Sequence, residues 1–160
     1  NEYGWWRIEG GKVNFDYYGI AENEYGWWKI EGGKVNFDYT GLADSDNGRM
    51  YVSNGGVDFG YTNVIQDGDV WVYVENGKVR YDYTGIRENA NGWWKIESGI
   101  VNFKFTGIAS NENGEFYIKD GKVDFDYSGT INQSDCIYTV KSGWVVSKEG
   151  ISGIIKGVDV

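Results

Sequence analysis

A block of 22 residues recurs down this chain, nearly letter for letter at its start. Residues 1–22 read NEYGWWRIEGGKVNFDYYGIAE, and residues 23–44 read NEYGWWKIEGGKVNFDYTGLAD. Further copies start at Ser45, Asp67, Asn89 and Asn111, and a degenerate one starts at Gln133. A fixed period of this size predicts a stack of one supersecondary unit rather than one irregular core. It also bears on function. An array offers the same surface many times, which suits multivalent binding or spacing better than one catalytic pocket.

The copies span 1–22, 23–44, 45–66, 67–88, 89–110, 111–132 and a partial 133–146. Beyond them, 147–160 departs from the pattern: Ser147 stands where an aromatic is expected, and Gly and Ser interrupt the Ile and Val that follow. This stretch reads as a terminal cap or the start of a following segment, since end repeats are atypical. The chain opens on a repeat boundary, as expected of a fragment whose leader and other domains lie outside it.

Within one copy, Trp27-Trp28-Lys29-Ile30-Glu31 is followed by Gly32-Gly33 and then Lys34-Val35-Asn36-Phe37-Asp38-Tyr39. Two β-prone runs separated by two residues predict a hairpin. The turn pair is Gly10-Gly11, Gly32-Gly33, Asn54-Gly55, Asn76-Gly77, Ser98-Gly99, Asp120-Gly121 and Ser142-Gly143. Type I′ turns need positive φ at both central residues, which Asn, Asp and Gly supply at least cost.

A two-residue turn fixes the register. Glu31 is expected to face Lys34, Ile30 to face Val35, Trp28 to face Phe37 and Trp27 to face Asp38. One face then carries Trp28, Ile30, Val35 and Phe37 as core, and the other carries Trp27, Lys29, Lys34 and Asp38 toward solvent. Phe15, Phe37, Phe59, Tyr81, Phe103 and Phe125 are thus expected inside. The remainder of each copy reads as a polar linker with one aliphatic plug: Ile20, Leu42, Val64, Ile86 and Ile108. The fold class expected is all-β, an array of stacked β-hairpins forming an elongated, solenoid-like rod. A lone hairpin is marginal in water, so neighbours must bury each other's faces.

Composition narrows the partners. Aromatic residues make up 18% of the chain, which opposes disorder, and Leu42 is the only leucine, so bulk comes from strand-forming side chains. A net charge of −9 argues against a nucleic-acid partner and disfavours an anionic membrane. It permits cationic ligands, neutral sugars or a wall polymer bearing ammonium groups, and serves solubility equally well. No apolar run is long enough for membrane insertion. Cys136 is the only cysteine, so no internal disulfide forms. With no histidine the commonest general base is missing, and the aspartates recur once per repeat, which no single cleft needs. No catalytic activity, metal or cofactor is expected. The Asp and Asn clusters near Asp44 read as turns.

The candidate ligand-binding residues are Trp5, Trp27, Trp71 and Trp93 in the outward column, with Asp16, Asp38 and Asp82 beside them and Tyr17, Tyr39 and Tyr83 at the repeat edge. Indole faces beside a carboxylate suit a quaternary ammonium or a stacked pyranose. The same tryptophans can equally pack against the next repeat.

Gly26-Trp27-Trp28-Lys29, Gly32-Gly33, Phe37 with Tyr39, and Gly41-Leu42-Ala43 together resemble the aromatic cell-wall-binding repeats of Gram-positive surface proteins, the choline-binding and glucan-binding type. Gly4-Trp5-Trp6-Arg7 and Gly92-Trp93-Trp94-Lys95 match equally. The resemblance implies a superhelical stack of hairpins that binds wall polymer between successive repeats on cages of Trp and Tyr. It implies an extracellular location on the bacterial cell surface and a partner among teichoic acid, peptidoglycan or glucan. On this reading the chain anchors a surface protein, or targets an enzyme lying elsewhere in the protein. The alternative is a passive spacer or adhesin stalk with no ligand of its own.

Overall fold

The computed structural model describes residues 4–151. The elements named among them are all strands, and they repeat in threes. A five-residue strand (Gly19–Asn23, Gly41–Ser45, Asn63–Asp67, Gly85–Asn89, Gly107–Asn111, Gly129–Gln133) precedes a six-residue strand (Gly26–Glu31, Gly48–Ser53, Val70–Glu75, Gly92–Glu97, Gly114–Lys119, Cys136–Lys141). A two-residue strand closes the unit: Lys34–Val35, Gly56–Val57, Lys78–Val79, Ile100–Val101 and Lys122–Val123. The all-β hairpin array expected from the sequence is therefore present.

The glycine-punctuated hairpin has the expected register, with Ile30 opposite Val35 and Glu31 opposite Lys34. Its turn is left-handed at both central residues, as Asn54 at φ 49° and Gly55 at φ 86° show. Two expectations fail beside it. The ladder stops after two residue pairs, because Asn36 turns the chain: its Oδ1 accepts the Asp38 N–H at 2.9 Å. Asn14, Asp58, Asn102 and Asp124 do the same to Asp16, Gly60, Lys104 and Asp126. These short side chains compete with the sheet for backbone donors. The aromatic that follows swings outward instead of entering the core. Phe15, Phe37, Phe59, Tyr81, Phe103 and Phe125 are all exposed, Phe37 by 43%.

The second failure is the linker, which is itself a strand. Gly19–Asn23 pairs along its length with Gly26–Glu31, from Gly19 opposite Ile30 to Asn23 opposite Gly26. This pairing is the longer hairpin of the unit. Its turn is fixed by Asn23, whose Oδ1 accepts from the Tyr25 N–H at 2.8 Å and from Trp28 Nε1 at 2.9 Å. Strand pairing satisfies the backbone and leaves the aliphatic plug buried, as Ile20, Val64, Ile86 and Ile108 are.

Consecutive repeats dock through the second turn glycine. The Gly55 N–H donates to the Tyr39 carbonyl at 2.9 Å, and its carbonyl accepts from the Lys29 N–H at 2.8 Å. Gly33, Gly77, Gly121 and Gly143 repeat both bonds to the preceding unit. All of these glycines are buried.

The chain divides into two compact units, Asn1–Asp69 with Tyr73–Arg80, and Val70–Val72 with Tyr81–Val160. The first buries Ile20, Ala43, Met50 and Val52, with Trp27, Tyr39 and Val57 packed against them. The second buries Ile86, Phe116, Ile118 and Val123 in one cluster and Ile108, Tyr117, Tyr138 and Val140 in another. After its third turn pair the second unit ends on a longer strand, Trp144–Gly150, which pairs with Cys136–Lys141 through an irregularity at Thr139/Val140. Segment 147–160 thus begins as strand, and its residues 152–160 lie outside the described residues.

Candidate functional site

The stacking brings the outward tryptophan of one repeat against two aromatic positions of the next, 23 and 32 residues later. In the first unit Trp5 meets Trp28 with ring centres 4.8 Å apart and Phe37 at 5.8 Å, and Trp28 meets Phe37 at 5.9 Å. All three contacts are edge-on or near it, so the rings form walls rather than a stack. Tyr25 adds a fourth ring 5.7 Å from Trp5. In the second unit Trp71 and Trp94 lie 6.4 Å apart with their rings nearly parallel, at 23°, and Trp94 meets Phe103 edge-on at 5.8 Å. Trp93 meets Phe116 at 5.3 Å and Phe125 at 5.7 Å. Trp27 meets Phe59 at 6.4 Å, and its third wall is Met50, which lies in the cluster that Trp27 packs against.

All four outward tryptophans are half-buried. Trp27 and Trp93 lie against the core of the following repeat. They serve as packing wedges and expose a remaining face, so the two readings of this column are compatible. A cleft of about 210 Å³ opens beside the first cage, lined by Trp5, Trp6 and Trp28 together with Arg7, Glu22 and Asn23.

Glu22 matters because it is the cross-strand partner of Trp27, and Glu88 is likewise the partner of Trp93. The expected pairing of Trp27 with Asp38 does not occur, since the short ladder ends before it. Asp16 and Asp38 sit on exposed turns, and Asp82 is exposed as well. Asp38 lines a separate open groove with Glu31, Lys34, Asn36 and Phe37. Tyr17, Tyr39 and Tyr83 are half-buried staples whose hydroxyls donate to the carbonyls of Ile20, Leu42 and Ile86. A cation covers each: Arg7 at 5.0 Å from the Tyr17 ring centre, Lys29 at 5.2 Å from Tyr39, and Arg87 at 4.3 Å from Tyr83.

Reading the sequence by strand alternation misses Phe37, Phe103 and Phe125 as exposed rings, and Glu22 and Glu88 as the carboxylates paired across the strands with Trp27 and Trp93. The signal for the first group is the Asn or Asp immediately before the aromatic, a turn former that ends the strand.

Arg49 occupies the tryptophan column in the third repeat. Its Nε and Nη2 donate to the two Asp67 carboxylate oxygens at 2.7 Å each, and its Nη1 donates to Asp44 at 2.8 Å. Where the column holds Trp5, Trp27, Trp71 or Trp93, the residue 18 positions on is Asn23, Ser45, Asn89 or Asn111; opposite Arg49 it is Asp67. The column position and its neighbour have changed together, from an indole beside a neutral side chain to a fork-shaped ion pair. Hydrogen bonds from Arg49 hold the Asp67 carboxyl below its ordinary range. A depressed folded value stabilises the fold above about pH 4, and that stability is lost as pH falls through the folded value. Asp67→Asn is therefore expected to cost about 1–2 kcal/mol at pH 7, with the gap to the parent closing in acid, as urea unfolding at a series of pH values would read. An equal gap at pH 7 and pH 3 would refute the ion pair's contribution.

The family model for the choline-binding repeat matches residues 1–14, 16–36, 38–58, 60–80, 82–102 and 104–124. The chain belongs to the choline-binding repeat family, whose members are binding modules typical of bacterial surface proteins. No curated protein matches the chain. No helix among the described residues is long and apolar enough to cross a membrane.

Proposed function

We propose that the chain is a non-catalytic, extracellular module that anchors a bacterial surface protein by gripping quaternary ammonium groups on wall polymer. The cages Trp5–Trp28–Phe37 and Trp71–Trp94–Phe103 are the sites, with Trp27 and Trp93 forming weaker ones beside Met50 and the buried Phe116. The observation that carries this reading is the recurrence, in both units, of an outward tryptophan against the aromatic ring 23 residues further on. Trp5 and Trp28 both line the first cleft, and a trimethylammonium group against such rings gains about 0.5–2 kcal/mol per ring. Glu22 and Arg7 both line the cleft at the first cage, so the attraction for a cation comes from the rings and from the net charge of −9. Each such contact is weak alone; several on one chain, meeting a polymer with repeated ammonium groups, combine through effective concentration. The exposed Phe and Asp of each repeat suit contact with the polymer's sugar backbone. Family membership supports the ligand class, and teichoic acid decorated with choline is the polymer that fits it best.

Choline chloride titrated into the protein is expected to give a saturable change in tryptophan fluorescence. Trp5→Ala and Trp93→Ala should each remove part of the amplitude while thermal unfolding stays cooperative. Purified walls should pull the protein down, and excess choline should release it. A passive spacer would give no saturable signal and no wall binding, and that result would end the proposal.

A further inference from the structure

The inner tryptophan of a repeat faces, across the ladder to the next repeat, the first residue of a two-residue strand. Trp6 faces Lys34, Trp28 faces Gly56 and Trp94 faces Lys122. Where that residue is lysine, its ammonium lies over the indole. Lys34 Nζ is 5.3 Å from the Trp6 ring centre, and Lys122 Nζ is 5.4 Å from that of Trp94.

The lysine is seated by the backbone. Its stem crosses a notch at the glycine that precedes the tryptophan pair, where a Cβ on Gly4 would lie 2.5 Å from Lys34 Cε. A Cβ on Gly92 would overlap Lys122 Cε in the same way, and Gly48 repeats the notch for Lys78, with 2.6 Å to its Cε. At Gly26 no such stem is present: the nearest atoms belong to Trp28 itself, at 3.9 Å. Gly56 supplies neither stem nor cation.

We infer that Lys122 is a resident competitor for the cation in the Trp71–Trp94–Phe103 cage, while Gly56 leaves the inner indole of the Trp5–Trp28–Phe37 cage without a lysine over it, so that one chain carries cages of two affinities. The inference rests on the cage reading above. Its sign does not depend on which face of Trp94 the ammonium covers. On the ligand's face it must be displaced, and on the opposite face it repels a second cation through a ring whose electron density it already draws upon. Either way the cage binds a cation more weakly than its rings allow, by a factor of about two to ten. The position is free to vary without loss of the fold, since Gly56, Ile100 and Trp144 also fill it. An array with unequal sites stays partly engaged over a wider range of ligand concentration than one with equal sites.

Choline chloride titrated into the full chain, followed by nitrogen-15 NMR of the indole N–H groups, reads each cage separately. Trp71→Phe and Trp5→Phe assign the two reporter signals. Lys122→Met keeps the stem across Gly92 and removes the charge. It is expected to lower the choline midpoint at Trp71 about two- to tenfold and leave that at Trp5 unchanged; Lys122→Gln should do the same. Gly56→Lys should raise the midpoint at Trp5. A Trp71 midpoint that is unmoved or higher in both Lys122 variants, with indole dispersion intact, overturns the inference and leaves the cages standing. A parent chain whose indole signals do not move with choline overturns both.

Discussion

Replacing Gly77 by alanine is expected to destabilise the chain by about 3–5 kcal/mol and to break the cooperativity of its unfolding. Gly77 sits at φ 80°. An alanine there carries the left-handed backbone penalty of about 1–2 kcal/mol. The larger cost is steric. Its Cβ would lie 2.5 Å from the Asp58 carbonyl oxygen and 3.0 Å from Phe59 Cα. Both obstacles are backbone, so no rotamer change relieves them. The repeats must part, which strains the bond from the Gly77 N–H to Tyr61 and the one from the Tyr51 N–H to Gly77, each 2.8 Å long. The chain contains its own control. Gly11 holds the same turn position at φ 80°, yet a Cβ there meets nothing within 4 Å. Gly11→Ala should cost only the backbone term. Urea unfolding of the two variants separates the contributions, and similar losses in both would show that docking does not depend on this close approach.

The same glycines show what the sequence makes legible. Period, turn pair and register all follow from local rules. A two-residue Asn-Gly or Gly-Gly turn leaves one way to pair its flanks, and Ile30 opposite Val35 is the outcome. The buried Ile and Val columns follow from alternation once that register is set. What alternation could not reveal is where a strand ends. The Asn36 side chain captures the Asp38 N–H two residues on, and this one bond moves Phe37 from the expected core to an exposed wall. The polar linker was misleading for the converse reason. Gly41-Leu42-Ala43-Asp44-Ser45 lacks strong strand formers apart from one aliphatic, and it becomes a strand because Gly48–Ser53 offers a full row of backbone partners. Of the candidate site, the tryptophan column was readable, since four of its members stand at one spacing. Their cage partners were not, because they come from the next repeat, and the pairing of one repeat with another depends on tertiary docking.

Phe116→Ala is expected to cost about 3–5 kcal/mol, the range for emptying a large buried aromatic site. Phe116 is fully buried and stands in the column that elsewhere holds Trp6, Trp28 and Trp94. Its ring centre lies 4.4 Å from that of Trp144, 5.3 Å from Trp93 and 6.5 Å from Phe125. Removing it leaves three aromatic walls around a void, and Trp93 and Trp144 emission should shift to the red as water enters. The reason for phenylalanine here is Trp144, its cross-strand partner, in the place that Gly56 takes opposite Trp28 and Lys122 takes opposite Trp94. A large ring on one side of the ladder requires a smaller one on the other. Phe116→Trp alone should therefore overpack the site and cost about 1–3 kcal/mol, although tryptophan is the commoner residue of the column. Adding Trp144→Gly should recover much of that loss, with a coupling between the two changes of about 1–2 kcal/mol. Additive effects in this double-mutant cycle would mean that the two rings do not share the space assigned to them.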